Sequence, residues 1–189
     1  CAGLIYGISL ADHFIRAGTY KHVLVACGEV LSKRIDGSSD GRNIGILLGD
    51  GGVAVVVGPS DDAGRGILST ILHADGTQAK ALYTEAPGTG MGKASFIDAE
   101  DIEAGKIQFR MDGKVVVENG VAWRAGAAKE SLEVNGLTLD DIDIMIPHQS
   151  NLRMLETVVE RVGIDRAKVF VNVEKYGNVA SACLAVAFD

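Results

Sequence analysis

The sequence predicts an α/β protein, with buried strands alternating with helices and a largely parallel sheet covered on both faces. Three observations lead there. Short apolar runs recur at 22–30 (H-V-L-V-A-C-G-E-V), 49–58 (G-D-G-G-V-A-V-V-V-G) and 142–146 (I-D-I-M-I). Stretches with helical spacing separate the runs, as at 150–162 (Leu152, Leu155, Val158, Val159). Glycine turns, not prolines, punctuate the chain, which has 24 glycines and 3 prolines.

Taken in order, residues 2–17 carry Leu4, Ile5, Ile8, Phe14 and Ile15 among small residues and predict a deeply buried helix. Strands buried on both sides follow at 22–30 and 49–58, and 67–74 (I-L-S-T-I-L-H-A) alternates like another strand. Residues 84–106 are polar and glycine-rich and read as a surface excursion, with 95–103 (S-F-I-D-A-E-D-I-E) a solvated loop. The rest predicts a helix over 116–134, a strand at 142–146, a helix over 150–162, a strand at 168–173 and a helix from about Asn178.

Composition narrows the function. With 47% hydrophobic and 23% charged residues the chain can form a packed core, so disorder is excluded. A formal charge of −7 argues against nucleic acid as a partner. No apolar run approaches the ~18 residues of a membrane span. Three cysteines without a C-x-x-C pair suit a reduced, cytoplasmic setting. Cys27 and Cys183 read as small buried hydrophobes. His13 and His73 show no metal spacing, so no metal site is expected. The G-D-G-G at 49–52 lacks the G-K-[ST] of a phosphate loop and runs into a strand, which makes its glycines structural.

In parallel sheets ligands bind beyond the carboxyl ends of the strands. His148 follows the 142–146 strand at that end, and Asn178 follows the 168–173 strand at the same end, one strand–helix–strand unit away. A neutral imidazole offers one N–H and a carboxamide two. Together they can stabilise a developing enolate or oxyanion. Cys1 opens a helix, where the dipole and free N–H groups favour thiolate, the nucleophile of acyl transfer. His148 alone could equally be a satisfied core histidine, and Asn178 alone a helix cap.

The motifs carry a resemblance. P-H-Q-S-N-L-R (147–153) resembles the P-H-Q-A-N-x-R of the β-ketoacyl-ACP synthase III family, and Y-G-N-V-A-S-A (176–182) its Y-G-N-T-S-A-A. G-D-G-G-V-A-V-V-V-G is similar to its G-D-G-A-G-A strand, and C-A-G-L-I-Y-G to its nucleophile segment C-A-G-F. The resemblance implies a thiolase-like fold and a Cys1–His148–Asn178 triad. It also implies acyl-CoA as substrate with no resident cofactor, acyl carrier protein as partner, and a homodimer at full length. Arg153 matches a basic residue associated with carrier-protein docking, and Arg42 one that contacts the CoA nucleotide. Val117, in M-D-G-K-V-V-V (111–117), stands where the family has an aromatic lining the acyl pocket, and Val115 where it has an acid. On this reading 1–75 is the C-terminal part of a first thiolase-like half, 76–106 a connection, and 107–189 the N-terminal part of a second. The chain then looks like a fragment beginning at the nucleophile. Three other readings remain: a chalcone-type synthase, an N-terminal-nucleophile amidohydrolase, and a catalytically inactive thiolase-fold partner subunit.

Overall fold

The computed structural model describes residues 1–188. In chain order the elements are α1 (Gly3–Arg16), β1 (Val23–Glu29), α2 (Arg42–Gly45), β2 (Gly51–Val57), β3 (Leu82–Tyr83), α3 (Ala99–Glu103), β4 (Arg110–Met111), α4 (Gly113–Asn135), α5 (Leu152–Val162), α6 (Val173–Tyr176) and α7 (Cys183–Phe188).

The two long helices form where the spacing predicts them. Asp112 caps α4 by accepting from the Lys114 and Val115 N–H groups, and Asn151 caps α5 by accepting from Met154 N–H at 2.9 Å. Met154, Leu155, Val158, Val159 and Val162 recur at helical spacing along α5 and bury against Val121 and Ala125 of α4. Ile164 and Val169 complete this core. A second, smaller core joins Leu4 and Ala11 of α1 to Val25 of β1 and Ala185 of α7.

The sheet differs from the expectation. β1 and β2 pair antiparallel, from Val23 opposite Val57 to Glu29 opposite Gly51. The segment between them holds only the short helical turns Leu31–Arg34 and α2. With no crossover helix the chain doubles back, and the pair is antiparallel. Neither strand is buried on both sides. Alternate residues Leu24, Ala26 and Gly28 of β1, and Gly52, Ala54 and Val56 of β2, are exposed. Parallel pairing survives only as the bridges Leu48–Asn178 and Met145–Val169.

The strands expected at 142–146 and 168–173 reduce to that second bridge, made by Met145 N–H to Lys168 O (2.7 Å) and Phe170 N–H to Met145 O (3.0 Å). Here Met145 and Ile142 pack on the α4–α5 core while Ile144 is 55% exposed. No strand forms at 67–74. That segment is tied by side chains instead: Arg16 Nη2 donates to Ile67 O (2.8 Å), Asn135 Nδ2 to Ser69 Oγ (2.7 Å), and Ser9 and Thr70 hydroxyls pair at 2.9 Å. Of these bonds only that to Ile67 O satisfies a backbone group; the other two anchor the segment through its own side chains. α1 is half-buried, with Leu4, Ser9 and Ala11 inside but Tyr6, Leu10 and Phe14 exposed. The last helix starts at Cys183, after a tight turn over Ala180–Ala182 in which Ala180 has φ +43°.

The 95–103 stretch is solvated as expected, with only Asp98 and Asp101 not exposed, but it is not all loop, since α3 occupies Ala99–Glu103. Asp101 is fully buried, and its carboxylate meets the ammonium groups of Lys93 and Lys106. Asp98 and Asp101 form a reciprocal capping box at the head of α3. The Lys93 ammonium bonded to Asp101 holds its carboxyl down at about 2, against the opposing effect of burial. Arg34 reaches across to the Ala86 and Ile107 carbonyls at 3.4 Å. The excursion is therefore ordered around charge, not around apolar packing.

Candidate active site

Pro147 ends the extended segment and His148 follows on the turn before α5. Its Nδ1 is enclosed and has no hydrogen-bond partner. Burial first, then the nearby Arg124 guanidinium, push the imidazole down to about 3. The ring is therefore neutral near pH 7. A ring proton on the enclosed Nδ1 would meet no acceptor, so the N–H falls to Nε2.

Gln149 fixes this turn. It is almost fully buried, donating to Pro147 O (2.8 Å) and Phe170 O (3.3 Å) and accepting from the Asn172 (2.9 Å) and Val173 (3.1 Å) N–H groups. All of its polar capacity ties the His148 turn to the segment that leads to Asn178.

Asn178 is pinned through its backbone, donating to Leu47 O (2.8 Å) and accepting from Gly49 N–H (3.0 Å). This close approach explains Gly49, because a Cβ there would overlap Tyr176 O. Gly177, at φ +69°, makes the reversal just before Asn178. Asn178 Oδ1 accepts from Ala180 N–H at 2.9 Å, with the Cys183 thiol 3.5 Å away. With its oxygen held, the carboxamide has Nδ2 left as its donor end.

Cys1 is exposed and precedes α1. Gly3, two residues on, lies against Ser181, where an added Cβ would be 3.0 Å from Ser181 Cβ, and the Cys183 thiol meets both Gln149 O (3.8 Å) and Asn178 Oδ1 (3.5 Å). Glu29, at the end of β1, accepts from the Ser181 N–H (3.0 Å) and hydroxyl and so fastens the turn after Asn178. The start of α1, the His148 turn and the Asn178 turn thus converge on one spot. Cys183 is buried there, and burial raises its thiol, so it remains protonated. Cys27 is half-buried. The convergence supplies an accessible thiol and two neutral N–H donors, the components of acyl transfer through an enolate.

The other expected residues lie apart. Arg42 opens α2 and Arg153 lies in the first turn of α5, and both are exposed. Val117 is 43% exposed on α4. Among the described residues there is no group of three or more His, Cys, Asp or Glu that could hold a metal. No helix among the described residues is long and apolar enough to cross a membrane. Sequence reasoning missed Gln149, Glu29 and Arg124. Arg124 had a visible signal, as the lone charge in V-A-W-R-A-G-A-A (121–128).

Comparison with known proteins agrees across the chain. Residues 1–76 match the family described as 3-oxoacyl-[acyl-carrier-protein (ACP)] synthase III, and residues 132–189 match its C-terminal counterpart. A β-ketoacyl-[acyl-carrier-protein] synthase III of Caldanaerobacter subterraneus subsp. tengcongensis is 41% identical over all 189 residues, which cover 55% of that relative. The crystal structure of a synthase III from Thermus thermophilus superposes with a TM-score of 0.85 at 37% identity, covering 100% of this chain and 55% of that one. A priming β-ketosynthase from the R1128 polyketide biosynthetic pathway gives 0.79 at 36% identity, covering 100% and 54%. The chain spans about half the length of the relatives it matches.

Proposed function

This chain belongs to the 3-oxoacyl-[acyl-carrier-protein] synthase III family, and on that footing we propose that the whole protein condenses an acyl group from acyl-CoA with malonyl-ACP. Cys1 thiolate attacks the acyl-CoA carbonyl and releases CoA thiolate, leaving an acyl thioester on the sulfur. Malonyl-ACP then loses carbon dioxide, and the electron pair of the broken C–C bond passes into its thioester carbonyl. His148 Nε2–H and Asn178 Nδ2–H hold that oxygen as charge develops. The enolate carbon attacks the Cys1 thioester, and the thiolate leaves as β-ketoacyl-ACP forms. The observation that carries this reading is the half-buried, neutral His148 on a turn that Gln149 ties to the segment leading to Asn178, whose side-chain oxygen is already occupied.

The test is intact mass of the full-length protein after exposure to acetyl-CoA. One acetyl group is expected, and neutral hydroxylamine should remove it, since hydroxylamine cleaves thioesters and spares amides. No acetylation, or an acetyl group that survives hydroxylamine, sinks the reading.

Other roles follow from the same proposal. Arg42 contacts the CoA nucleotide, and Val117, smaller than the family's aromatic, widens the acyl pocket. The halves 1–75 and 107–189 are joined by 76–106, and the full-length protein works as a cytoplasmic homodimer. Arg153, exposed and cationic, meets the acidic carrier protein. Arg153→Glu should raise KM for malonyl-ACP about tenfold, leave acylation by acetyl-CoA unchanged, and flatten the salt dependence of KM. An unchanged KM would return Arg153 to the ordinary surface.

A further inference from the structure

Ser150 and Arg124 form a hydrogen-bonded pair beside the His148 turn, and the reaction above uses neither. Ser150 stands where the resembled motif P-H-Q-A-N has alanine, and Arg124 is the lone charge in V-A-W-R-A-G-A-A. Arg124 Nη1 donates to Ser150 Oγ at 2.9 Å, and the same hydroxyl donates to Met154 Sδ at 3.4 Å. Ser150 is buried, so its donor and one of its acceptor sites are engaged inside the protein and the hydroxyl is held in place. Gly120 permits the approach, since a Cβ there would overlap Met154 Cε and push α4 off the start of α5.

The pair reaches His148 through the main chain. Ser150 N–H donates to His148 O at 3.0 Å and closes the turn, with Gln149 between the two. Gln149 ties that turn to the 170–173 segment, and Ser150 ties it to α4. A turn held at one point can pivot about it, and a second hold from another element removes that freedom. The bond from α4 has a charged donor, which makes it roughly twice as strong as a neutral one. After burial, the Arg124 charge is also the next effect that keeps the His148 ring neutral.

We propose that Arg124 and Ser150 are positioning residues, a tether from α4 that fixes the turn carrying His148 and so aims its Nε2–H at the malonyl thioester oxygen. The proposal rests on the condensing reading above. A donor stabilises the developing charge only within a narrow distance of it, and a misplacement of about 1 Å can cost about 10²-fold. Neither residue of the pair touches substrate in this scheme. Its loss should therefore fall on kcat for decarboxylation and not on KM for malonyl-ACP. Acyl transfer to Cys1 does not call on the His148 donor, so that step should be untouched.

The experiment measures carbon dioxide release from malonyl-ACP and acetylation of Cys1 by acetyl-CoA in the full-length enzyme. Ser150→Ala should lower kcat for release about tenfold, and leave KM for malonyl-ACP and the acetylation rate within about twofold. Arg124→Met should do the same. The double variant should lose no more than either single one, because the pair acts as one tether. Arg124→Lys, a point donor to the same hydroxyl, should recover part of the loss. In a His148→Ala background Ser150→Ala should change nothing further, since the ring it aims is gone. A packing role would instead give additive losses in the double variant or a further loss in that background, and either result overturns the proposal. An unchanged kcat in Ser150→Ala overturns it too. Should Arg124→Met fail to fold, Ser150→Ala decides in both backgrounds, since it removes a single oxygen and restores the motif's alanine. Acetylation of Cys1 in the wild type, measured in parallel, reports on the condensing reading separately.

Discussion

Alanine at His148 or Asn178 is expected to lower malonyl decarboxylation about 10²–10³-fold per donor while Cys1 still accepts an acetyl group from acetyl-CoA. The two losses should separate because the donors act on the malonyl oxygen, not on the acyl-CoA. His148 is a donor and not a base in this scheme. Its pKa near 3 makes the ring neutral at every pH above that value, so carbon dioxide release should show no limb near the ordinary histidine pKa of about 6.5. Folding should suffer little by comparison. His148 Nδ1 has no partner to orphan, and Asn178→Ala gives up one capping bond to Ala180 N–H, worth about 1 kcal/mol. The check is labelled acetyl transfer run beside carbon dioxide release across pH. Equal collapse of both activities would reassign the two residues.

Gln149→Ala should destabilise the fold by about 2–4 kcal/mol, read as a shift in denaturant midpoint at constant slope. The carboxamide is buried and meets two carbonyls and two N–H groups on both sides of the site. Alanine would leave all four without that partner in a space too tight for easy relaxation. Gln149→Glu should be no better. Its oxygens can still accept from Asn172 and Val173, but a carboxylate cannot donate to Pro147 and Phe170 and repels their carbonyl oxygens. A change of less than about 0.5 kcal/mol in either variant would show that the turn is held by its backbone alone. If the turn loosens, decarboxylation should fall with stability, since Gln149 sets the spacing between the His148 and Asn178 segments.

The site was more legible in the sequence than the sheet. Helical spacing with Asn151 and Asp112 as caps fixes α4 and α5, because those signals are local. The positions of His148 and Asn178 followed from turns that end apolar segments, and those turns exist even though the strands before them shrink to one bridge. Strand direction could not be read. The run V-L-V-A-C is apolar on both faces, so its pattern does not reveal that one face is open or that its partner runs antiparallel. The 142–146 run does not report its inward face, since Ile142 and Met145 pack on the core and Ile144 is left outside. Asp101, Arg124 and Gln149 depend on partners far along the chain, and no local periodicity reports those.

The open face of the β1–β2 pair is graded. Its cross-strand pairs run Leu24–Val56, Ala26–Ala54 and Gly28–Gly52, shrinking from large to small to none toward the Glu29 end. Nothing within the described residues demands the last two glycines. Neither has a positive φ, and a Cβ at Gly28 would meet nothing within 4 Å. Glycine inside a strand is unfavourable, and it marks a place where another backbone comes close. Sheets stack about 10 Å apart when side chains fill the gap on both sides. On this face the gap would close as a wedge, so a layer covering it would lie tilted, resting on Leu24 and Val56 and dipping to main-chain distance above Gly28 and Gly52. The dip falls at the Glu29 end of β1, beside the turn that carries Asn178.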